Sequence, residues 1–350
     1  MNRIWTACLL VIAILVGCSQ PLPPTRVDER FTDDVLINTT PVKNQGASSL
    51  CWLYAMLGTI ESERLMMGDS VDLSVDYLAR KLLEEQTQEA FFMRGKKPIL
   101  LRGVASMTLD LIQRYGLLHE DSYPAKNLNY NVLRRKMRHL ASCVTSLSQL
   151  QHLMEDKLDQ ELGSLPRFVF FLHAEYTPLE FAHSVCLPDE YLSLTSFTHH
   201  PYGHSFVLEI PDNQFRQAFK NLPLDTLMTH LKKALQAGHP VCWEGDISEP
   251  GFSFANGVAT LDNTPVHVTA EMRQRAFETL KTTDDHCMVL VGMAHDRQGR
   301  VFFKAKNSWG TNSRYRGYMY LSEEYVRFKT IALYMSQAAY QFDNILKTTK

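Results

Sequence analysis

The sequence predicts an α+β fold in which a mostly helical half, carrying helical insertions, packs on a β-rich half drawn as an antiparallel barrel-like sheet. Three observations predict it. Between residues 50 and 117, apolar side chains recur at helical spacing: Leu53, Leu57 and Ile60, then Leu78, Leu82 and Leu83, then Leu109, Ile112 and Leu117. These runs break at Gly68-Asp69-Ser70, at 95–98 and at Gly116. From Arg167 onward the pattern changes to short strand-like runs. Finally, 350 residues with 45% hydrophobic content suffice for two domains, or one large domain of two parts, with substantial cores.

The first element is a targeting segment. Arg3 supplies a positive start, Ile4 to Val16 is an apolar stretch too short and one-sided for a membrane span, and Leu15-Val16-Gly17-Cys18 matches a bacterial lipobox. Residues 1–17 are therefore expected to be a lipoprotein signal peptide, with Cys18 the lipidated first residue of the mature chain. Two or more acyl chains there would anchor the chain stably to a lipid membrane. An ordinary secretory peptide with an incidental cysteine is the other reading. Residues 18–40 are expected to be the lipidated Cys and a tether, semi-extended where Pro21, Pro23 and Pro24 fall. Ser19 beside Cys18 is similar to the second residue of lipoproteins exported to an outer membrane, so the expected location is the bacterial cell envelope, at the outer membrane or the periplasmic face.

The main domain is expected over 41–350, with a helical half at about 41–165, a β-rich half at about 166–340 and a C-terminal tail at 341–350. Leu133 to Glu161 reads as charged amphipathic helix, and its basic cluster, Arg134-Arg135-Lys136 with Arg138, as a solvated face. A net charge of -2 gives no nucleic-acid footprint. Strands are expected at Arg167 to Leu172, Ser205 to Ile210, Pro240 to Glu244, Met288 to Val291, Val301 to Ala305 and Gly317 to Leu321, with helices at Leu227 to Ala237 and Pro265 to Phe277 between them. A cleft between the halves would hold the site.

The chemistry concentrates at Pro41 to Ala55. A Gly-Ser loop, Gly46 to Ser49, runs into the apolar run Leu50 to Leu57, so Cys51 falls where a buried helix begins. Unpaired N–H groups and the positive end of the helix dipole there favour thiolate over thiol. Gln45, six residues upstream, can turn its amide toward the same point as the Cys51 backbone N–H, forming an oxyanion hole. A nucleophile needs a base, and the base an orienter. His286 opens the apolar run Cys287 to Gly292, and Asn307 closes the run Val301 to Lys306 within Asn-Ser-Trp-Gly.

These pieces, in this order, resemble the papain-like cysteine peptidases. The resemblance narrows to the bleomycin-hydrolase and bacterial aminopeptidase branch through Leu73-Ser74 with Tyr77-Leu78, Gly103, Leu111 to Leu117, Tyr123-Pro124, Thr177 to Phe181, and Trp243-Glu244-Gly245-Asp246 with Gly257-Val258. It implies a thiol protease in which Cys51 is the nucleophile, His286 the general base and acid, Asn307 the orienter of the imidazole and Gln45 the oxyanion donor. Trp52, Asp285 and Trp309 are assigned to substrate binding, Trp309 covering the Asn307–His286 hydrogen bond. Peptides are the implied substrates. No cofactor or metal is implied, and contacts between copies through the extra helices leave a homo-oligomer open. In that branch the chain end, here Tyr340 to Lys350, lies along the cleft and offers its carboxylate to the substrate's amino terminus, which implies an aminopeptidase. Two departures are Ser48-Ser49-Leu50 before the nucleophile, in place of a Gly-containing loop, and a short chain.

Rival constellations are weaker. His199, His200 and His204 invite a metal reading, but Pro201 and Gly203 make the segment a loop without paired ligand spacing. Asp284 and Asp285 precede His286 and read either as a solvated loop pair or as partners of the imidazolium or a substrate amine. Trp243 and Glu244 are expected to hold a sheet edge. Seven cysteines stand at 8, 18, 51, 143, 186, 242 and 287; Cys242 and Cys287 read as small packed hydrophobes, and a Cys143–Cys186 disulfide stays open in an oxidising compartment. Endopeptidase action and a catalytically silent peptide-binding lipoprotein are the alternatives on the same fold.

Overall fold

The computed structural model describes residues 30–126, 128–261 and 267–341. The expected signal peptide, Cys18 with its tether as far as residue 29, Pro265 and the tail from residue 342 lie outside the described residues. Among the described residues no helix is long and apolar enough to cross a membrane.

The chain enters through β1 (Phe31–Leu36) and then builds the helical half from α1 (Cys51–Met66), α2 (Val75–Phe92), α3 (Ser106–Tyr115), α4 (Tyr130–Cys143) and α5 (Leu147–Leu162). A hairpin, β2 (Val169–Phe171) and β3 (Ala174–Tyr176), and α6 (Pro178–Val185) lead to the sheet-forming half. There β4 (Tyr191–Thr195), β5 (Ser205–Val207), β6 (Ala218–Asn221), α7 (Leu224–Gln236), β7 (Val241–Gly245), β8 (Phe252–Ser253) and β9 (Val258–Ala259) follow. Next come α8 (Ala270–Glu278), β10 (His286–Asp296), β11 (Val301–Lys306), β12 (Tyr318–Ser322), α9 (Glu323–Lys329) and β13 (Thr330–Ser336).

Local chemistry sets the helix starts. Ser74, Asn129 and Ser146 each accept a backbone N–H three residues on, capping α2, α4 and α5, and Thr177 forms a reciprocal capping box with Glu180 behind Pro178. At the other end of α3, Gly116 takes φ +80°, and a Cβ there would lie 2.2 Å from the Pro178 backbone. That close approach lets the Leu117 N–H reach the Pro178 carbonyl at 2.9 Å, tying the end of α3 to the start of α6. The amphipathic α4 and α5 bury Leu133, Met137, Leu150 and Leu158 against the rest of the helical half.

Two expectations about the β-rich half are corrected. The antiparallel barrel does not form: the sheet runs β5-β6-β4-β13-β7-β10-β11-β12-β9-β8, stays open, and contains the parallel pairs β4·β6 and β9·β12. Its outer strands β5, β6, β8 and β9 are two to four residues long, too short to carry pairing round a closed cylinder. Each parallel pair also comes from a long connection where a hairpin would have given antiparallel partners. Second, β7 with Trp243 and Glu244 is no edge. It lies fully buried between β13 and β10.

Part of the expected tether is also sheet. β1 pairs antiparallel with β10, Phe31 opposite Asp296 and Leu36 opposite Gly292. Gly292 has no side chain where a Cβ would sit 2.2 Å from the Val35 carbonyl oxygen. The helical half joins the sheet where α1 lies on β10, and there a Cβ on Gly58 would sit 3.1 Å from Val289 Cγ2.

Candidate active site

Cys51 is the first residue of α1. Leu50 offers no side-chain cap and the first turn holds no acidic residue, so nothing charged competes for the N–H groups and positive dipole at the thiol. His286 opens β10, and the β10–β11 register, Val289 opposite Lys306, brings Asn307 alongside it. His286 Nε2 lies 2.8 Å from Asn307 Oδ1, and both side chains are buried. The Trp309 ring lies over the imidazole, centroids 4.6 Å apart and planes at 36°. With Nε2 bonded to Asn307, Nδ1 is the nitrogen left for the thiol. Cys51 is held well below the ordinary thiol range, first by a hydrogen bond from the Cys287 thiol, then by a hydrogen bond and charge from His286, against the opposing effect of burial. Burial pushes Cys287 well up, so it stays a thiol and can donate.

Gln45 is fixed on both sides of its amide. Its Oε1 accepts the Ser308 hydroxyl at 2.6 Å, and its Nε2 donates to the Ser48 carbonyl at 2.8 Å, leaving one N–H free. The main chain pairs the same segments: Gln45 N–H donates to the Ser308 carbonyl at 2.8 Å and Gly310 N–H to that of Lys43 at 3.1 Å. Lys43 holds Glu61 at 3.0 Å from behind, while Lys306 donates to Thr40 at 2.9 Å.

Cys51, His286, Gln45 and Trp309 line one cavity of about 150 Å³, together with Arg102, Asp212, Asp284 and Asp285. Its charge is mostly acidic. Arg102 is committed to Asp212 at 2.7 Å and to the Asp284 carbonyl at 2.7 Å. Asp285 is exposed and accepts from Thr283 at 2.9 Å. Asp284 is buried beside Glu244, which accepts from the Tyr334 hydroxyl and, at 3.3 Å, from the Ala105 N–H. Neither Glu244 Oε1 nor Asp284 Oδ2 has a donor, and the two carboxyl groups hydrogen-bond to each other. Two carboxylate oxygens can do so only by sharing a proton. Burial, and then their mutual repulsion, pushes Asp284 up to about 10; burial foremost pushes Glu244 up to about 7.

The structure thus brings Cys51, His286, Asn307, Gln45, Asp285 and Trp309 together. Trp52 is placed differently: fully buried, with its indole N–H on the Leu101 carbonyl at 2.9 Å, it forms a wall of the cavity without an exposed face. Three contributors escaped the sequence reading. Cys287 was read as packing, although it adjoins His286. Ser308 lay unremarked inside Asn-Ser-Trp-Gly. Glu244 was read as an edge residue, although an acid after the apolar run Val241-Cys242-Trp243 marks a buried charge.

Elsewhere, His199 and His200 both hydrogen-bond Glu209, at 3.3 and 2.6 Å, and ligand atoms of these three lie within 4.8 Å of one another. Gln274 accepts the Thr198 N–H at 2.8 Å, which turns its amide N–H toward His199 Nδ1 at 2.9 Å. His199 Nε2 then carries the proton given to Glu209. Cys143 is exposed and Cys186 buried, and both are free thiols.

Comparison with known proteins adds the following. The Peptidase C1-like family profile matches residues 169–338. The chain is 23% identical to aminopeptidase C of Streptococcus thermophilus, over 86% of this chain and 81% of that protein. It is 22% identical to aminopeptidase W of Lactobacillus delbrueckii subsp. lactis, over 90% and 84%. The crystal structure of pepw from Lactobacillus rhamnosis HN001 superposes with a TM-score of 0.67 at 20% identity, over 91% of this chain and 85% of that one, and so shares its fold.

Proposed function

We propose that this chain is a papain-like cysteine peptidase of the C1 type, an aminopeptidase working through Cys51, His286 and Asn307. The observation that carries this reading is the imidazole of His286, bonded to Asn307 at 2.8 Å through Nε2, beside a Cys51 thiol that it helps to hold well below the ordinary range. In the proposed reaction the Cys51 thiolate attacks the scissile carbonyl carbon. The oxyanion accepts from the free N–H of Gln45 and from the Cys51 backbone N–H, donors already in place before charge develops. His286 gives its proton to the leaving amine, then takes one from the water that hydrolyses the thioester. Asn307 holds the ring plane throughout, and Trp309 shields that hydrogen bond.

The aminopeptidase part rests on two supports: long relatives that carry that name, and an acidic cavity suited to a substrate's amino terminus. Its test is cleavage of a free peptide against the same peptide N-acetylated. Preference for the free amine is expected, and equal cleavage of both would make the chain an endopeptidase. The proposed location is the bacterial envelope, through lipid on Cys18, and it rests on the Leu15-Val16-Gly17-Cys18 motif. Membrane fractionation of the wild type and of Cys18→Ser tests it: the variant should leave the membrane fraction or remain uncleaved, and a soluble, unlipidated wild type would overturn it.

A further inference from the structure

The cavity that holds Cys51 carries more acid than the proposed chemistry uses. Arg102 neutralises Asp212, and Asp285 is exposed. What remains is Asp284, only 8% exposed and among the residues lining the cavity, whose buried Oδ2 meets no donor from another group, and behind it Glu244, fully buried, whose Oε1 likewise meets none. Buried carboxyl oxygens are ordinarily met by N–H or O–H groups, because leaving them unmet is costly. Here the protein supplies only a proton between them. A buried pair of this kind, opening on a substrate cavity, is built to receive a donor that the chain itself does not provide. The scissile carbonyl must sit against Cys51 in the same small cavity, so that donor belongs to the substrate close to the bond being cut.

Resting on the peptidase reading, we propose that the Asp284–Glu244 carboxyl pair is a subsite for a cationic nitrogen of the substrate. The ammonium donates to Asp284 in place of the shared proton, and Glu244 supplies the negative charge behind it, itself held by Tyr334 and the Ala105 N–H. Two substrate groups have this chemistry: the α-ammonium of the residue at the scissile bond, and the side-chain ammonium of a lysine.

Binding tests the subsite independently of turnover. Calorimetric titrations of the full chain use two matched pairs at about pH 7.5, where Glu244 is mostly ionised and an α-amino group still mostly charged: leucinamide against N-acetyl-leucinamide, and N-acetyl-lysinamide against N-acetyl-norleucinamide. In at least one pair the cationic member should bind about tenfold tighter or more, the scale of one charge-assisted hydrogen bond. The pair that shows the advantage identifies the group. The advantage should be lost in Asp284→Asn, which keeps the shape of the side chain, and again in Glu244→Gln, each checked by its melting transition. No advantage in the wild type for either pair, or an advantage that survives in a folded Asp284→Asn, overturns the subsite whether or not the chain cleaves peptides. A cation preference in a chain that hydrolyses nothing would overturn the peptidase proposal alone.

Discussion

Ser308 donates its hydroxyl proton to Gln45 Oε1 at 2.6 Å, so the amide beside the nucleophile is held with its nitrogen toward the loop that carries Cys51. Without that bond the amide of Gln45 could turn over and present oxygen to an oxyanion. Ser308→Ala should therefore lower kcat by about tenfold with little change in KM, since outer partners of this kind matter less than the donor itself. Gln45→Ala should cost about 10²–10³ in kcat. Steady-state kinetics on one peptide substrate measures both, and an unaltered kcat in Ser308→Ala would remove Ser308 from the oxyanion machinery.

The Cys287 thiol is the foremost cause of the lowered Cys51 pKa. Cys287→Ala takes away that donor and keeps a small apolar side chain, so the thiolate of Cys51 should be lost at higher pH than in the wild type. Alkylation of Cys51 at about pH 6 should slow about tenfold, the scale of one hydrogen bond to a charged group. The exposed Cys143 serves as the internal reference in the same mapped digest. A pH–alkylation profile identical to that of the wild type would mean that the Cys287 thiol does not set the thiolate.

These two residues show where legibility ended. Cys51, His286 and Asn307 were readable because each stands at the edge of an apolar run, and an element end is where a side chain can leave the core. The helical half was readable from spacing, and long apolar runs such as that in β10 were found, though cut short. β1 was missed because Asp33-Asp34 breaks any apolar alternation in Phe31-Thr32-Asp33-Asp34-Val35-Leu36, and its strand conformation comes from pairing with β10 across Gly292. Strand order, the open sheet and the central place of Glu244 depend on long-range pairing, which no local pattern carries. The Ser308–Gln45 bond spans 263 residues and is invisible for the same reason.

Asp284 and Glu244 also make a prediction for stability. Their folded-state values, about 10 and about 7, lie above those of ordinary carboxyl groups near 4, so the folded chain keeps protons, two below about pH 7 and one above it, that the unfolded chain releases. Unfolding then releases protons above about pH 4, and the stability present below that pH is lost as pH rises. The slope is about 1.4 kcal/mol per pH unit for each proton by which the two states differ. Asp284→Asn removes one such group. Its stability relative to the wild type, from urea unfolding, should therefore grow from about pH 5 to about pH 8, where a margin independent of pH would mean that the pair holds no shared proton.

The central claim is that Cys51 is the nucleophile. It is tested most directly by inactivating the full chain with a peptidyl epoxide and mapping the adduct by mass spectrometry while following residual peptidase activity. The adduct should fall on Cys51, one per chain, with activity lost in proportion to its formation and no labelling of Cys51 in His286→Ala on the same timescale. Full modification of Cys51 with activity retained, or inactivation that follows an adduct on the exposed Cys143, would contradict the assignment.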